Sequence, residues 1–162
     1  MAETYSVEYT SSYITVPRGN IYMGTPRYVN FSYTQAANGT AGDTILLAKL
    51  PPQSVVDMYR SWFAWAGWTS GATLSIGWRA YTDLDGAVQA LSATGLLNAV
   101  SLTADGAWSH GMLVIATPDD SNPVTAIKDF NNRDEVILYA TIGTQAPGAA
   151  DTLSGSFCVR HP

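Results

Sequence analysis

Two histidines, one cysteine and thirteen carboxylates are the whole inventory from which this chain of 162 residues could build a reactive centre. His161 is next to last, and His110 sits in the turn-like Trp108-Ser-His-Gly111. A Ser-His-Asp relay needs a positioned nucleophile and an orienting carboxylate. The chain has no Gly-x-Ser-x-Gly elbow to present the nucleophile. A lone turn histidine reads more simply as a surface residue. Asp83-Leu-Asp85-Gly86 begins like a calcium loop but lacks the further acidic position and the closing glutamate. Asp119-Asp120 is a carboxylate pair in a loop. Surface solvation accounts for both. Zinc needs three or four converging ligands, which this inventory scarcely supplies. A phosphate loop of the Gly-x-x-x-x-Gly-Lys type is missing. Glu3, Glu8 and Glu135 are the only glutamates, and nothing singles out an acid–base pair for glycoside chemistry. The expectation is a protein without catalytic residues, metal or cofactor, and not an enzyme.

Composition narrows the partners. Charged residues are 13% of the chain and apolar ones 46%, so the core can be large and the surface is poor in charge. Either a partner covers much of that surface or hydroxyls and amides solvate it. The net charge is −5, Lys49 and Lys128 are the only lysines, and the arginines are scattered. Nucleic acids and anionic membranes are bound through clustered Lys and Arg, so neither is an expected partner. Cys158 is alone, which excludes an intrachain disulfide. The start, Met1 to Glu8, has neither the basic nor the apolar region of a secretory signal. Synthesis in a reducing cytoplasm is expected. The run Trp62 to Trp68 is far too short to span a bilayer.

The elements that would position any site read as strands. Gly42-Asp43 opens an apolar run, Thr44 to Leu50, which Pro51-Pro52 stops because proline has no N–H for a ladder. Ala72 to Trp78 alternates, with Leu74, Ile76 and Trp78 on one face. Further strands are expected at 99–103, 112–116, 124–130, 134–143 and 152–160, with loops at 118–123 and 144–150. Residues 87–93 could form one or two helical turns. Residues 54–66 fit a helix by spacing and a strand by their aromatic and β-branched content. Short strands with frequent turns predict an all-β fold, a jelly-roll-like sandwich of two sheets.

The segment 1–41 differs from the sandwich domain expected over 42–162. It is rich in tyrosine and poor in aliphatic residues. It reads either as an extended arm lying on a neighbour or as outer strands of its own domain. Tyrosine and arginine suit an interface, so Tyr5, Tyr9, Tyr13, Arg18, Tyr22 and Arg27 are candidate contact residues. The five tryptophans fill a core or face a partner or a sugar ring. If 54–68 is extended, strict alternation puts Trp62 and Trp68 on the face of Met58 and Trp65 on the other. Trp65 and Trp68 are taken as the candidates for an exposed contact.

The order Gly42-Asp-Thr-Ile-Leu-Leu-Ala-Lys-Leu-Pro51, Ser54-Val-Val-Asp-Met58, Ala72-Thr-Leu-Ser-Ile-Gly77, with Asp134 to Gly143 and Gly148 to Gly155 closing the chain, resembles tailed-bacteriophage capsid decoration proteins, also called cement or head-stabilising proteins. The resemblance covers roughly residues 42–160 and is a pattern of strands. It implies a β-sandwich, strands rather than helix near 54–65, and no enzymatic activity. It also implies self-association, frequently as homotrimers, and binding to the major capsid protein on the outer capsid surface of the virion. A carbohydrate-binding sandwich on a fibre is the alternative, with Trp65 or Trp68 exposed in a groove.

Overall fold

A computed structural model describes residues 3–5, 26–102, 105–109, 125 and 127–160. Every regular element among them is a strand: β1 (Glu3–Tyr5), β2 (Arg27–Thr34), β3 (Thr44–Leu50), β4 (Val55–Ala66), β5 (Thr73–Trp78), β6 (Tyr81–Thr82), β7 (Val88–Gln89), β8 (Ser92–Ser101), β9 (Gly106–Ser109), β10 (Ile127–Asp129), β11 (Val136–Gly143) and β12 (Thr152–Arg160). They form two sheets and one small hairpin. The first sheet runs β1-β3-β11-β5-β8 and the second β10-β4-β12-β2, while β6 pairs with β7. All pairings are antiparallel except β1 with β3.

The connectivity defines the fold. β9 and β10 both pair with β4, at Trp62–Trp65 and at Val55–Asp57 respectively. They run in the same direction and occupy one strand position beside β4. Counting them as one, and leaving aside β1 and the β6–β7 hairpin, there are eight strands. In chain order the second sheet reads sixth-third-eighth-first and the first sheet second-seventh-fourth-fifth. This is the double Greek key of a jelly roll, as the strand spacing predicts.

Local chemistry explains the borders. Gly42 at φ 92° makes the turn into β3, and the Asp43 carboxylate accepts the Thr40 N–H at 2.7 Å. Pro51-Pro52 ends β3, and the chain re-enters at Ser54. The aromatic run 55–66 is strand β4, because both of its edges find ladder partners. Residues 87–93 are not helical: Val88 and Gln89 pair with Thr82 and Tyr81, and β8 begins at Ser92. Of the short strand expected at 99–103, residues 99–101 are the end of β8. The predicted strand 112–116 and loop 118–123 lie outside the described residues, as does His110.

β2 falls within the segment 1–41. It is nonetheless an edge strand of the second sheet, paired with β12 over its whole length. Its inward residues Phe31 and Tyr33 are buried. Two aromatics at alternate positions thus supply the burial that its missing aliphatics do not.

The core fills the gap between the sheets. Near its middle the rings of Phe31, Phe63 and Phe157 lie 5.3–5.9 Å apart. Gly155 lies among them: a Cβ there would meet Phe31 Cζ and Phe63 Cδ1 at 2.7 Å and the Trp62 carbonyl oxygen at 2.5 Å. Toward one end Trp78 and Tyr81 each meet Phe130 edge-on at 5.4 Å. The Lys128 ammonium lies 5.0 Å from the Trp78 ring centre.

Candidate interaction surface

The residues that looked reactive in sequence have structural work here. Asp83 closes the β6–β7 hairpin. Its carboxylate accepts the Ala87 N–H at 2.8 Å and the Gln89 amide at 2.7 Å. The Gln89 and Ala87 bonds hold its pKa below the usual aspartate value. Both oxygens are engaged, so the calcium-like Asp83-Leu-Asp85-Gly86 is a turn. The Cys158 thiol is fully buried; burial, and then the nearby Asp57 carboxylate, push its pKa up. Among the described residues no three His, Cys, Asp or Glu side chains converge as metal ligands.

What the described residues assemble is a surface. β4 meets β12 in two registers, Trp62 opposite Ser156 and Asp57 opposite Cys158. Residues 58–61 therefore stand against Phe157 alone, forming a wide bulge. The bulge inverts the alternation. Val56 before it and Met58 at its start are inward, and Phe63 and Trp65 are inward after it. Trp62 consequently points out and is 43% exposed.

Trp65 is thus a core residue at 9% exposure, and Trp68, beyond the end of β4 and the turn at Gly67 (φ 86°), is another at 6%; neither is exposed as expected from sequence. Trp68 also donates its indole N–H to the Thr152 carbonyl at 2.7 Å. The signal for the reversal was the placement of Asp57 and Arg60. Three apart, they cannot both lie on the outer face of an unbroken strand.

Buried polar groups hold the bulge in place. Asp57 accepts the Tyr59 N–H at 3.1 Å and is paired with the Arg160 guanidinium, while Arg60 Nε lies 3.9 Å away. Ser61 donates its hydroxyl to the Asp57 carbonyl at 2.8 Å and accepts the Cys158 N–H at 3.0 Å. These bonds replace the ladder that the bulge interrupts. The result is an outer face carrying exposed Tyr28, Tyr59, Trp62 and Ile127 with Arg60 among them. Ser156, in the row between Trp62 and Asn30, is buried with its hydroxyl oxygen unpartnered. Large aromatics with arginine are the composition of binding hot spots.

A second surface lies at one end of the sandwich, where three loops meet at buried Asn132. Its side chain accepts the Ser54 N–H at 3.0 Å and donates to the Pro51 and Asp134 carbonyls. Its own carbonyl accepts the Gln53 N–H at 2.9 Å. The β6–β7 hairpin is tied to the same loops, through Leu84 N–H to Asn131 and Arg133 N–H to Thr82, each at 2.9 Å. From this anchored hairpin Leu84, Val88 and Leu91 project into solvent, Val88 at 77% exposure.

Of the other candidates, Arg27 opens β2 and is partly buried. Tyr5 belongs to β1, whose residues pair with Thr44–Leu46. Tyr9, Tyr13, Arg18 and Tyr22 lie outside the described residues.

A scan of family models finds no match to this chain, and a search of curated proteins finds no relative. Among solved structures it is similar to a chain described as "Capsid of Ralstonia phage GP4", with a TM-score of 0.58 and 19% identity over 86% of each chain. At that identity the likeness establishes a common fold.

Proposed function

We propose that this protein is a structural component of a tailed-phage virion that binds the outside of the head and bridges major capsid protein subunits, acting as a small oligomer, a homotrimer by preference. The observation that carries the reading is the jelly-roll likeness to a phage capsid chain over 86% of both molecules. The strand-order resemblance in the sequence points the same way. Two rigid exposed surfaces agree with it, one aromatic with arginine and one aliphatic. A head-stabilising protein works by adding buried interface across the seams between subunits, multiplied over many symmetric copies. That role calls for anchors and no active site. The residues before β2, with their tyrosines and Arg18, are a proposed additional contact. β1 is consistent with this use, since it adds a short strand at the β3 edge.

The test is sedimentation with purified expanded heads that lack the protein. Co-sedimentation at micromolar concentration, reduced at least tenfold by Trp62→Ala together with Arg60→Ala, is the expected result. Failure of the wild-type chain to co-sediment refutes it. The exposed Trp62 ring also favours a second reading, a glycan-binding virion module. In that case its fluorescence shifts with glycans; a silent glycan panel removes this reading.

A further inference from the structure

We propose that Ser61 is a positioning residue for the outer face of the second sheet: its hydroxyl fixes the residue at which the β4 bulge closes, and thereby turns Trp62 to solvent. The consequence for head binding rests on the function proposed above. The positioning itself is a property of the free chain.

The point of closure is decisive. Between the Asp57–Cys158 and Trp62–Ser156 pairs, β4 has four residues where β12 has one. The surplus of three is odd, so the side chains beyond it change faces. A bulge that closed one residue earlier or later would have an even surplus. Ser61 or Phe63 would then take the outward position opposite Ser156, and Trp62, one residue away, would be turned toward the core. With no bulge at all, the Asp57–Cys158 register would carry Arg60 opposite inward-facing Gly155 and bury its charge. Some bulge is therefore required, and the competing forms differ by one residue in where it ends.

Ser61 separates them. It is fully buried, and its hydroxyl donates to the Asp57 carbonyl at 2.8 Å and accepts the Cys158 N–H at 3.0 Å. Asp57 and Cys158 are the last pair before the bulge. One hydroxyl thus spans both strands and ties residue 61 to each. The residues beside it cannot take this place. Arg60 carries only donors and Trp62 only an indole N–H, so neither accepts the Cys158 N–H. Asp57 and Cys158 are both buried, so a closure that moves the Ser61 hydroxyl away leaves a carbonyl and an N–H unpaired inside the protein. The Asp57 carboxylate, held by the Tyr59 N–H and the Arg160 guanidinium, keeps the near end of the bulge in place.

The experiment uses the full chain labelled with fluorotryptophan and observed by fluorine NMR, with the Trp62 line assigned from Trp62→Phe. Wild type is expected to give a single Trp62 line that responds to solvent isotope, as an exposed ring does, and a Cys158 amide protected from exchange. Ser61→Ala is expected to add a second Trp62 line that does not respond to solvent isotope, while the Trp78 line stays as it is. Ser61→Thr, which keeps the hydroxyl, is expected to restore the single line. A serine with a merely structural role would lower the urea midpoint and leave the Trp62 line unchanged, and that result overturns the proposal. So does a Cys158 amide that exchanges freely in the folded wild type, a measurement that stands even if Ser61→Ala does not fold.

Sedimentation with heads is read separately. Ser61→Ala is expected to bind about threefold more weakly or worse, although its side chain is buried and touches no partner. A Trp62 line that splits while sedimentation is unchanged upholds the positioning and removes this face from the head contact, so the two readings fail apart.

Discussion

Gly155→Ala should destabilise the sandwich by about 2 kcal/mol. Gly155 lies in central strand β12 and faces inward. The volume a side chain would use is filled by the tip of Phe31, the edge of Phe63 and the Trp62 carbonyl, at 2.7, 2.7 and 2.5 Å from the missing Cβ. The rings can rotate slightly; the carbonyl belongs to the β4 backbone and cannot withdraw without parting β4 from β12. Inserting a methyl group into a closed core costs about 1–3 kcal/mol, and a backbone contact places this case in the upper part of that range. Replacing glycine restricts the unfolded chain and returns about 0.4–1 kcal/mol. The balance corresponds to a fall in Tm of about 4–8 °C for a chain of this size. Urea unfolding followed by tryptophan fluorescence reads it as a lower midpoint at unchanged slope, with protein concentration held constant. In a Phe31→Ala background the penalty should shrink by more than about 0.5 kcal/mol, because one of the three obstacles is gone. A Gly155→Ala protein as stable as wild type, or additivity with Phe31→Ala, would show that the three rings do not close over this glycine.

Other outcomes follow from the same packing. Deleting residues 1–25 should leave a cooperatively folded sandwich, whereas deleting 1–33 removes most of β2 with Phe31 and Tyr33 and should abolish the thermal transition. A cooperative transition in the longer deletion would refute the place given to β2. Asn132→Ala leaves the Ser54 N–H and two loop carbonyls without their partner, and should cost about 2–4 kcal/mol in urea unfolding; a loss below about 0.5 kcal/mol would refute its role as the tie between loops. The pKa of Asp83 is lowered in the folded hairpin, so its contribution is complete above the ordinary aspartate range and is lost as pH falls through the folded value. The protection of the Ala87 amide, its exchange rate relative to the intrinsic rate at each pH, should therefore fall in acid, and Asp83→Asn should remove that pH dependence. The Cys158 thiol should resist a disulfide reagent at neutral pH and react fully in denaturant, whereas prompt native labelling would contradict its burial.

Much of the fold was legible because turn chemistry and strand chemistry alternate clearly. Gly42-Asp43 and Pro51-Pro52 bracket β3 at both ends. Thr152 to Arg160 is bounded in sequence as β12 is in space. The second and seventh strands read as nearly unbroken apolar runs, as expected where both neighbours in the sheet are present. β4 was ambiguous because helical spacing and β propensity compete over Val55 to Ala66. The two ladder partners at its edges decide the matter, and they come from residues far away in the chain. Segment 87–93 failed for the opposite reason: alanine-rich local propensity favoured a helix, but the Asp83 carboxylate and the Thr82–Val88 pairing offered the backbone better partners.

The interaction surface was harder to read. Counting alternate residues assigns faces correctly only while the register is unbroken. Four residues of β4 opposite one of β12 invert the assignments in the rest of that strand, so Trp62 emerges and Trp65 goes inside, while Trp68 lies beyond the turn at Gly67, where alternation no longer applies. The exposed residues Leu84, Val88 and Leu91 carried no signal either, since exposed aliphatics do not differ in type from buried ones.

By itself the sequence determined the class of fold, most strand limits and the poverty of reactive groups, because these depend on composition and on neighbours within a few residues. Only the tertiary structure decided which tryptophan meets solvent, that β2 belongs to the sandwich, and that Asn132 ties the β3–β4 loop to the β10–β11 loop. Each of these depends on which distant strand supplies the hydrogen-bond partner. That choice is made by closing two sheets over one core, and no local spacing encodes it.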